Sequence, residues 1–245
     1  MVAVTLEPQR YFAEQIAGDK YKVNCILPAG QSPHSYEPTP QQLVEIGNCA
    51  AYFKVGRLGF EEVWSERFAD SHKDLKIVDL SEGMPTDAKD PHTWLSIRGA
   101  HAMADNMLNT FCQLDPQNKD YYRTNYNKVK QNIDSLSVEI KTKLRNVQQR
   151  NFIIYHPVLS YYAEEFGFNQ LFIEIEGKEP SPAQLKKLID VAKAYEVKTV
   201  FIQEEFDKKN AALVAKEVNC KLETINPMAY DWTNTMLEIA DYLAI

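Results

Sequence analysis

Three of the five histidines in this 245-residue chain share a setting. His34 follows a β-rich run, in Gln31-Ser32-Pro33-His34-Ser35-Tyr36-Glu37-Pro38. His92 stands in a proline-flanked stretch just ahead of a helical pattern, in Lys89-Asp90-Pro91-His92-Thr93-Trp94-Leu95. His156 ends an apolar run, in Ile154-Tyr155-His156-Pro157-Val158. Each is expected where a strand or helix meets a loop. In open α/β sheets, ligands bind outside the carboxyl ends of the strands. Three imidazoles converging there are a common ligand set for zinc, with a fourth position left to water or a carboxylate. The other two histidines read as structural. His72 lies in the charged stretch Asp70-Ser71-His72-Lys73-Asp74 and is expected to be solvated, and His101 falls inside a helical pattern.

The elements that must position these side chains follow from periodicity. Val2–Leu6, Tyr21–Leu27, Ala51–Val55 and Leu75–Leu80 read as strands. They alternate with helical stretches at Pro8–Ala17, Gln41–Gly47, Phe60–Phe68 and Ile97–Cys112. Strands alternating with helices argue for a parallel sheet covered on both faces. The pattern then changes. From Pro116 to about Gln149, Tyr121, Tyr122, Tyr126, Val129, Ile133, Leu136, Val138, Ile140, Leu144 and Val147 recur at helical intervals with no interior Gly or Pro. This predicts one helix of roughly 32 residues, about 48 Å long. Afterwards the alternation restarts, with strands at Phe152–Tyr155, Leu171–Ile175, Thr199–Ile202 and Leu222–Ile225. Helices fit about 158–166, 182–195, 208–218 and 231–243. The fold class expected is therefore α/β, with two parallel-sheet lobes joined by one long rigid helix: an N-terminal lobe over 1–115, a linking helix over 116–149 and a C-terminal lobe over 150–245.

Composition bounds the partners. A formal charge of -7 gives no electrostatic help toward nucleic acid or anionic lipid. No apolar run approaches the ~18 residues needed to span a bilayer. The opening Met1-Val2-Ala3-Val4-Thr5 reads as a strand and not as an export leader. Cys25, Cys49, Cys112 and Cys220 form no CxxC pair. They read as free thiols serving as small apolar residues, and export would open three ways of pairing them.

Taken together, the segments Pro33–Pro38 (PHSYEP), Asp90–Ser96 (DPHTWLS), Tyr155–Phe168 (YHPVLSYYAEEFGF) and Glu179–Leu185 (EPSPAQL) resemble those of the zinc and manganese solute-binding proteins of bacterial ABC transporters. The resemblance runs over essentially the whole chain. It implies a monomeric, non-enzymatic receptor outside the cytoplasm, periplasmic or anchored to the cell envelope. Such a receptor captures a metal ion between its lobes and hands it to a membrane ABC permease. The resemblance also implies that His34, His92 and His156 are the metal ligands. Many members add an aspartate after the last strand, where this chain has Asn226, and a glutamate near the end of the preceding strand, where it has Gln203 followed by Glu204 and Glu205. Two expected negative charges are thus missing. The fourth position falls to water first and Glu37 second, with Asn226, Glu204, Glu205 and Asp231 as further candidates. Imidazole suits zinc, whereas manganese sites lean toward carboxylates, so Zn(2+) is the expected cargo ahead of Mn(2+) or Fe(2+). Two other classes share parts of the pattern. A zinc-dependent hydrolase would also use three histidines and a water, but the chain has no HExxH run. A receptor for an organic metal chelate such as a siderophore would line a wide cleft with aromatics such as Tyr36, Trp94 and Tyr155.

Overall fold

The computed structural model describes every residue except His34, 85–89 and Glu176, together with the side chains of Ala69 and Ser71. The chain divides into two compact units. Unit 1 comprises Met1–Ser135 with Met228–Trp232, and unit 2 comprises Leu136–Pro227 with Thr233–Ile245.

Unit 1 is built on a parallel sheet of β1 (Val2–Val4), β2 (Val23–Cys25), β3 (Ala51–Lys54) and β4 (Lys76–Asp79), in the order β2-β1-β3-β4. Its helices are α1 (Glu7–Ala17), α2 (Pro40–Gly47), α3 (Gly59–Ser71) and α4 (Ile97–Leu114). Unit 2 repeats the plan. Its strands β5 (Asn151–Ile154), β6 (Asn169–Phe172), β7 (Thr199–Gln203) and β8 (Lys221–Ile225) run parallel in the order β6-β5-β7-β8. Its helices are α6 (Ser160–Phe166), α7 (Pro182–Ala194), α8 (Lys209–Val218) and α9 (Trp232–Leu243). The central strands are apolar on both faces, as a covered parallel sheet requires. Val2, Ala3 and Val4 of β1 are buried, and so are all five residues of β7. Helix starts are marked by side chains that bond the first turn. Thr39 with Gln42 opens α2, and Ser181 with Gln184 opens α7; both are capping boxes followed by proline.

In each sheet the chain steps from the first strand to one side and then returns to the other. The strand order therefore reverses between β1 and β3, and again between β5 and β7. Such switch points leave a crevice at the carboxyl ends. In unit 1 that point is filled by Glu61 of α3. Its Oε1 accepts from the Thr5 hydroxyl and from the Val55 N–H at 2.8 Å, and its Oε2 accepts from the Gly56 N–H at 2.9 Å. Thr5 follows β1 and Val55 follows β3, so one buried carboxylate ties both strand ends together.

The long helix is present but shorter than its sequence pattern suggests. α5 runs from Lys119 to Leu144, 26 residues, or about 39 Å. At its start Pro116–Asn118 forms a separate tight turn, held by the Asn118 amide donating to Asp115 Oδ2 at 2.6 Å. At its end the Arg150 guanidinium donates to the Leu144 carbonyl at 2.9 Å, closing off the last turn. Of the apolar residues predicted for this helix, Tyr122, Val129, Ile133, Leu136, Ile140 and Leu144 are buried, Tyr126 and Val147 are half-buried, and Tyr121 and Val138 are exposed. Among the described residues no helix is long and apolar enough to cross a membrane.

Candidate metal-binding residues

His92 sits in unit 1, in the loop between β4 and α4. Asp90 shapes this loop from two residues upstream. Its Oδ1 accepts the His92 backbone N–H at 2.9 Å and pairs with Nδ1 of the ring at 2.7 Å. With the Nδ1 proton held by a carboxylate, the ring's coordinating lone pair is on Nε2, an atom shielded from solvent. The turn around it is fixed on every side. The Thr93 N–H donates to the Pro91 carbonyl at 2.8 Å, and the Leu95 N–H donates to the His92 carbonyl at 3.2 Å. Ser96 then caps α4, with its Oγ accepting from the Gly99 N–H at 2.9 Å and donating to the Thr93 carbonyl at 2.8 Å. Gly99 is required here by close approach: a Cβ at this position would fall 1.7 Å from the Thr93 carbonyl oxygen.

His156 sits in unit 2, directly after β5. Its Nδ1 pairs with Glu174 Oε2 at 2.7 Å, and Glu174 is itself buried. Glu174 lies just past β6, the strand beside β5, and its backbone N–H donates to the Tyr155 carbonyl at 3.0 Å. From the other side comes Gln203, the last residue of β7, with no exposed surface. Its amide nitrogen donates to the His156 carbonyl at 2.7 Å, and its amide oxygen accepts the His156 N–H at 3.4 Å. The ring of Phe206 lies against the imidazole, 5.7 Å between centroids. His156 thus stands at the β5/β7 switch point, its ring braced by one neighbouring strand and its backbone by the other.

His34 lies outside the described residues. Its neighbours Ser35, Tyr36 and Glu37, with Pro28, Gln31, Thr39 and Gln42, line an open cavity of about 450 Å³. The Tyr36 hydroxyl donates to Gln42 Oε1 at 2.6 Å, which anchors the segment to α2. Of the candidates for a fourth position, Glu37, Glu204 and Asp231 are exposed, while Glu205 and Asn226 are half-buried. The Asn226 amide nitrogen donates to Glu204 Oε2 at 2.9 Å. Among the described residues no three His, Cys, Asp or Glu side chains gather closely enough to hold a metal ion.

Three residues that brace the histidines were not singled out as such in the sequence. Asp90 was the most legible, since a carboxylate two residues before a loop histidine can accept its backbone N–H. Glu174 and Gln203 are brought in by strand order alone. Gln203, the neutral residue standing where many family members carry a glutamate, bonds the His156 main chain at two points. His72 corrects an expectation. It is half-buried and not solvated, its ring 6.2 Å from that of Phe68 and packed over Gly47. His101 bonds Asp134 through Nε2 at 3.0 Å, a structural tie between α4 and α5. All four cysteines are free thiols, with Cys49 buried and the others half-buried.

Two parallel sheets of matching strand order, chained through one long helix, with a carboxylate-braced histidine in a loop of each unit, define a two-lobed α/β solute-binding protein. Residues 2–245 match the model of ZnuA, the zinc-uptake complex component A periplasmic, and the chain belongs to that family. It is 29% identical over 252 residues to the high-affinity zinc uptake system protein ZnuA of Bacillus subtilis, covering 93% of this chain and 78% of that protein. It is 27% identical over 214 residues to the manganese-binding lipoprotein MntA of Halalkalibacterium halodurans, covering 83% of this chain and 71% of that one. A crystal structure of ZnuA superposes with a TM-score of 0.94 at 35% identity, over 99% of this chain and 97% of the other.

Proposed function

We propose that this protein is the extracytoplasmic receptor of a metal-importing ABC transporter, taking up one divalent transition-metal ion, zinc foremost, and passing it to the membrane permease. The observation that carries the reading is the repeated brace. His92 and His156 each give Nδ1 to a carboxylate at 2.7 Å. This is the arrangement in which a metal-ligating imidazole is held in one tautomer with Nε2 directed at the ion and its basicity raised. A histidine kept for packing has no need of it, and here it occurs independently in two sheets. Membership of the zinc-uptake family supports the same reading, and it argues for a receptor and against a hydrolase.

In this reading the ligands are His34, His92 and His156, with water completing the sphere and Glu37 next in line. The chemistry is capture and release, with no covalent step. Three neutral imidazoles favour zinc over manganese, whose sites lean toward carboxylate oxygens. The residue that would tip the balance is Asn226, and its amide is engaged with Glu204. The protein is proposed to act as a monomer whose docking partner is the permease.

The test is a competition titration of metal-free protein with zinc, manganese and iron against a chromophoric chelator, repeated for His34→Ala, His92→Ala and His156→Ala. One zinc per chain, lost by at least a hundredfold in each variant, is the expected result. Zinc affinity unchanged in all three variants would overturn the assignment.

A further inference from the structure

A short strap, Met228–Trp232, belongs to unit 1 although the chain on both sides of it belongs to unit 2. After β8 the chain leaves unit 2, contributes Met228–Trp232 to unit 1, and returns to unit 2 along α9. The strap is held at two points. At its outer end the Tyr230 hydroxyl donates to Glu14 Oε2 at 2.7 Å, the Arg10 guanidinium lies 4.8 Å over the ring, and Tyr11 meets it edge-on at 5.7 Å. At its inner end Trp232 is 1% exposed and packs on Phe12 at 5.0 Å. Its indole N–H donates to the backbone carbonyl of Trp94 at 2.7 Å. Trp94, also 1% exposed, is two residues past His92, and the two rings are 5.3 Å apart. The His92 and Thr93 carbonyls are satisfied from within the loop, by Leu95 N–H and Ser96 Oγ. The Trp94 carbonyl receives a donor from a segment 138 residues away in the chain.

We propose that Trp232 is a positioning residue for His92: the seated strap fixes the turn that presents the imidazole, so that captured metal is retained only while the strap is in place. The inference rests on the metal-capture reading above. A buried carbonyl without its donor carries the cost of desolvation with no return. When Trp232 leaves, the turn relaxes and His92 loses its aim.

Trp232→Phe keeps an aromatic ring against Phe12 while deleting the N–H, together with part of the buried ring. In the metal-free protein, hydrogen exchange at the Leu95 amide, which reports the turn containing His92, is expected to rise about tenfold. In the loaded protein, zinc release to excess chelator is expected to accelerate by a similar factor, with the association rate unchanged within about twofold. A lower melting temperature with unchanged Leu95 exchange and unchanged release would mean that Trp232 only packs, and would overturn the proposal. His92→Ala, run alongside, separates the two levels. If it leaves zinc capture intact, the metal reading fails, while Leu95 exchange still decides whether the strap fixes the loop. Should Trp232→Phe not fold, Tyr230→Phe carries the test. About threefold faster Leu95 exchange supports the proposal, and no change overturns it.

Discussion

Glu61→Gln probes the carboxylate that fills the switch point of unit 1. Burial is the main influence on Glu61 and raises its pKa from 4.5 to about 7, against the opposing pull of its bonds to Thr5, Val55 and Gly56 and of the Lys54 charge. Tyr52 bounds the same pocket, its hydroxyl 2.9 Å from Thr5 Oγ1. Lys54 pairs with Asp79 at 3.4 Å, so its charge is shared. The sign of the pH effect follows. Below about 4.5 the group is protonated in both folded and unfolded chains and costs nothing. Between 4.5 and about 7 the unfolded chain releases the proton while the folded protein keeps it, and stability falls as pH rises. Above about 7 both states are ionised and the loss is complete. At about 1.4 kcal/mol per tenfold in proton affinity, the loss is about 3 kcal/mol.

The glutamine variant cannot titrate. It does carry a constant cost, because its amide nitrogen faces one of the backbone N–H donors that the carboxylate accepted, leaving a buried donor unpaired at about 1–3 kcal/mol. The variant should therefore be less stable than the parent at pH 5 and should draw level with it or overtake it by pH 8. Urea unfolding of both proteins with chelator present, from pH 5 to 8, measures this directly. Titrations elsewhere are common to both proteins and cancel in the difference. A difference that moves by about 2.5 kcal/mol in the variant's favour between pH 5 and 8 supports the reasoning, whereas curves parallel within about 0.5 kcal/mol would refute it.

Other predictions follow from the braces and the close approaches. Glu174→Gln should weaken zinc binding about tenfold and Glu174→Ala up to about a hundredfold, read by chelator competition, because the brace on the His156 ring is first neutralised and then removed. Gly99→Ala should lower stability by about 1–3 kcal/mol and weaken zinc binding with it, since its Cβ meets the Thr93 carbonyl; a thermal melt with and without zinc checks both. Asn226→Asp should place like charges on Glu204 and position 226, cost the metal-free protein about 1 kcal/mol, and shift the ratio of manganese to zinc affinity toward manganese; an unchanged ratio in competition titrations would take position 226 out of the metal's sphere. Zinc at a hundred times its Kd should stabilise the parent by about 2.7 kcal/mol in denaturant unfolding, and removing it with chelator should reverse the gain.

Much of the fold could be read from the chain because local signals and tertiary fold agree. Prolines and capping boxes mark where α2 and α7 begin, and apolar runs of β-branched residues mark β1, β5 and β7. The long helix was overextended at its C-terminal end because periodicity sees apolar spacing but not hydrogen bonding. Val147 keeps the spacing, yet Arg150 has already closed the Leu144 carbonyl. His92 and His156 were legible from their loops, and the Asp90 brace nearly so, since it acts over two residues.

The His156 braces could not be read in this way. Glu174 and Gln203 lie 18 and 47 residues away in the chain and meet His156 only because the sheet order places β6 and β7 on either side of β5. Sequence reasoning compared Gln203 with a glutamate and counted a lost charge. The geometry asks for something a glutamate cannot provide. The side chain donates to the His156 carbonyl and accepts from the His156 N–H, and an amide does both at neutral pH whereas an ionised carboxylate only accepts. An ionised carboxylate there would turn a lone pair toward the carbonyl oxygen at 2.7 Å and be buried without compensation. The neutral residue and the His156 backbone are therefore one unit, and the negative charge that serves the imidazole comes from Glu174 on the opposite strand.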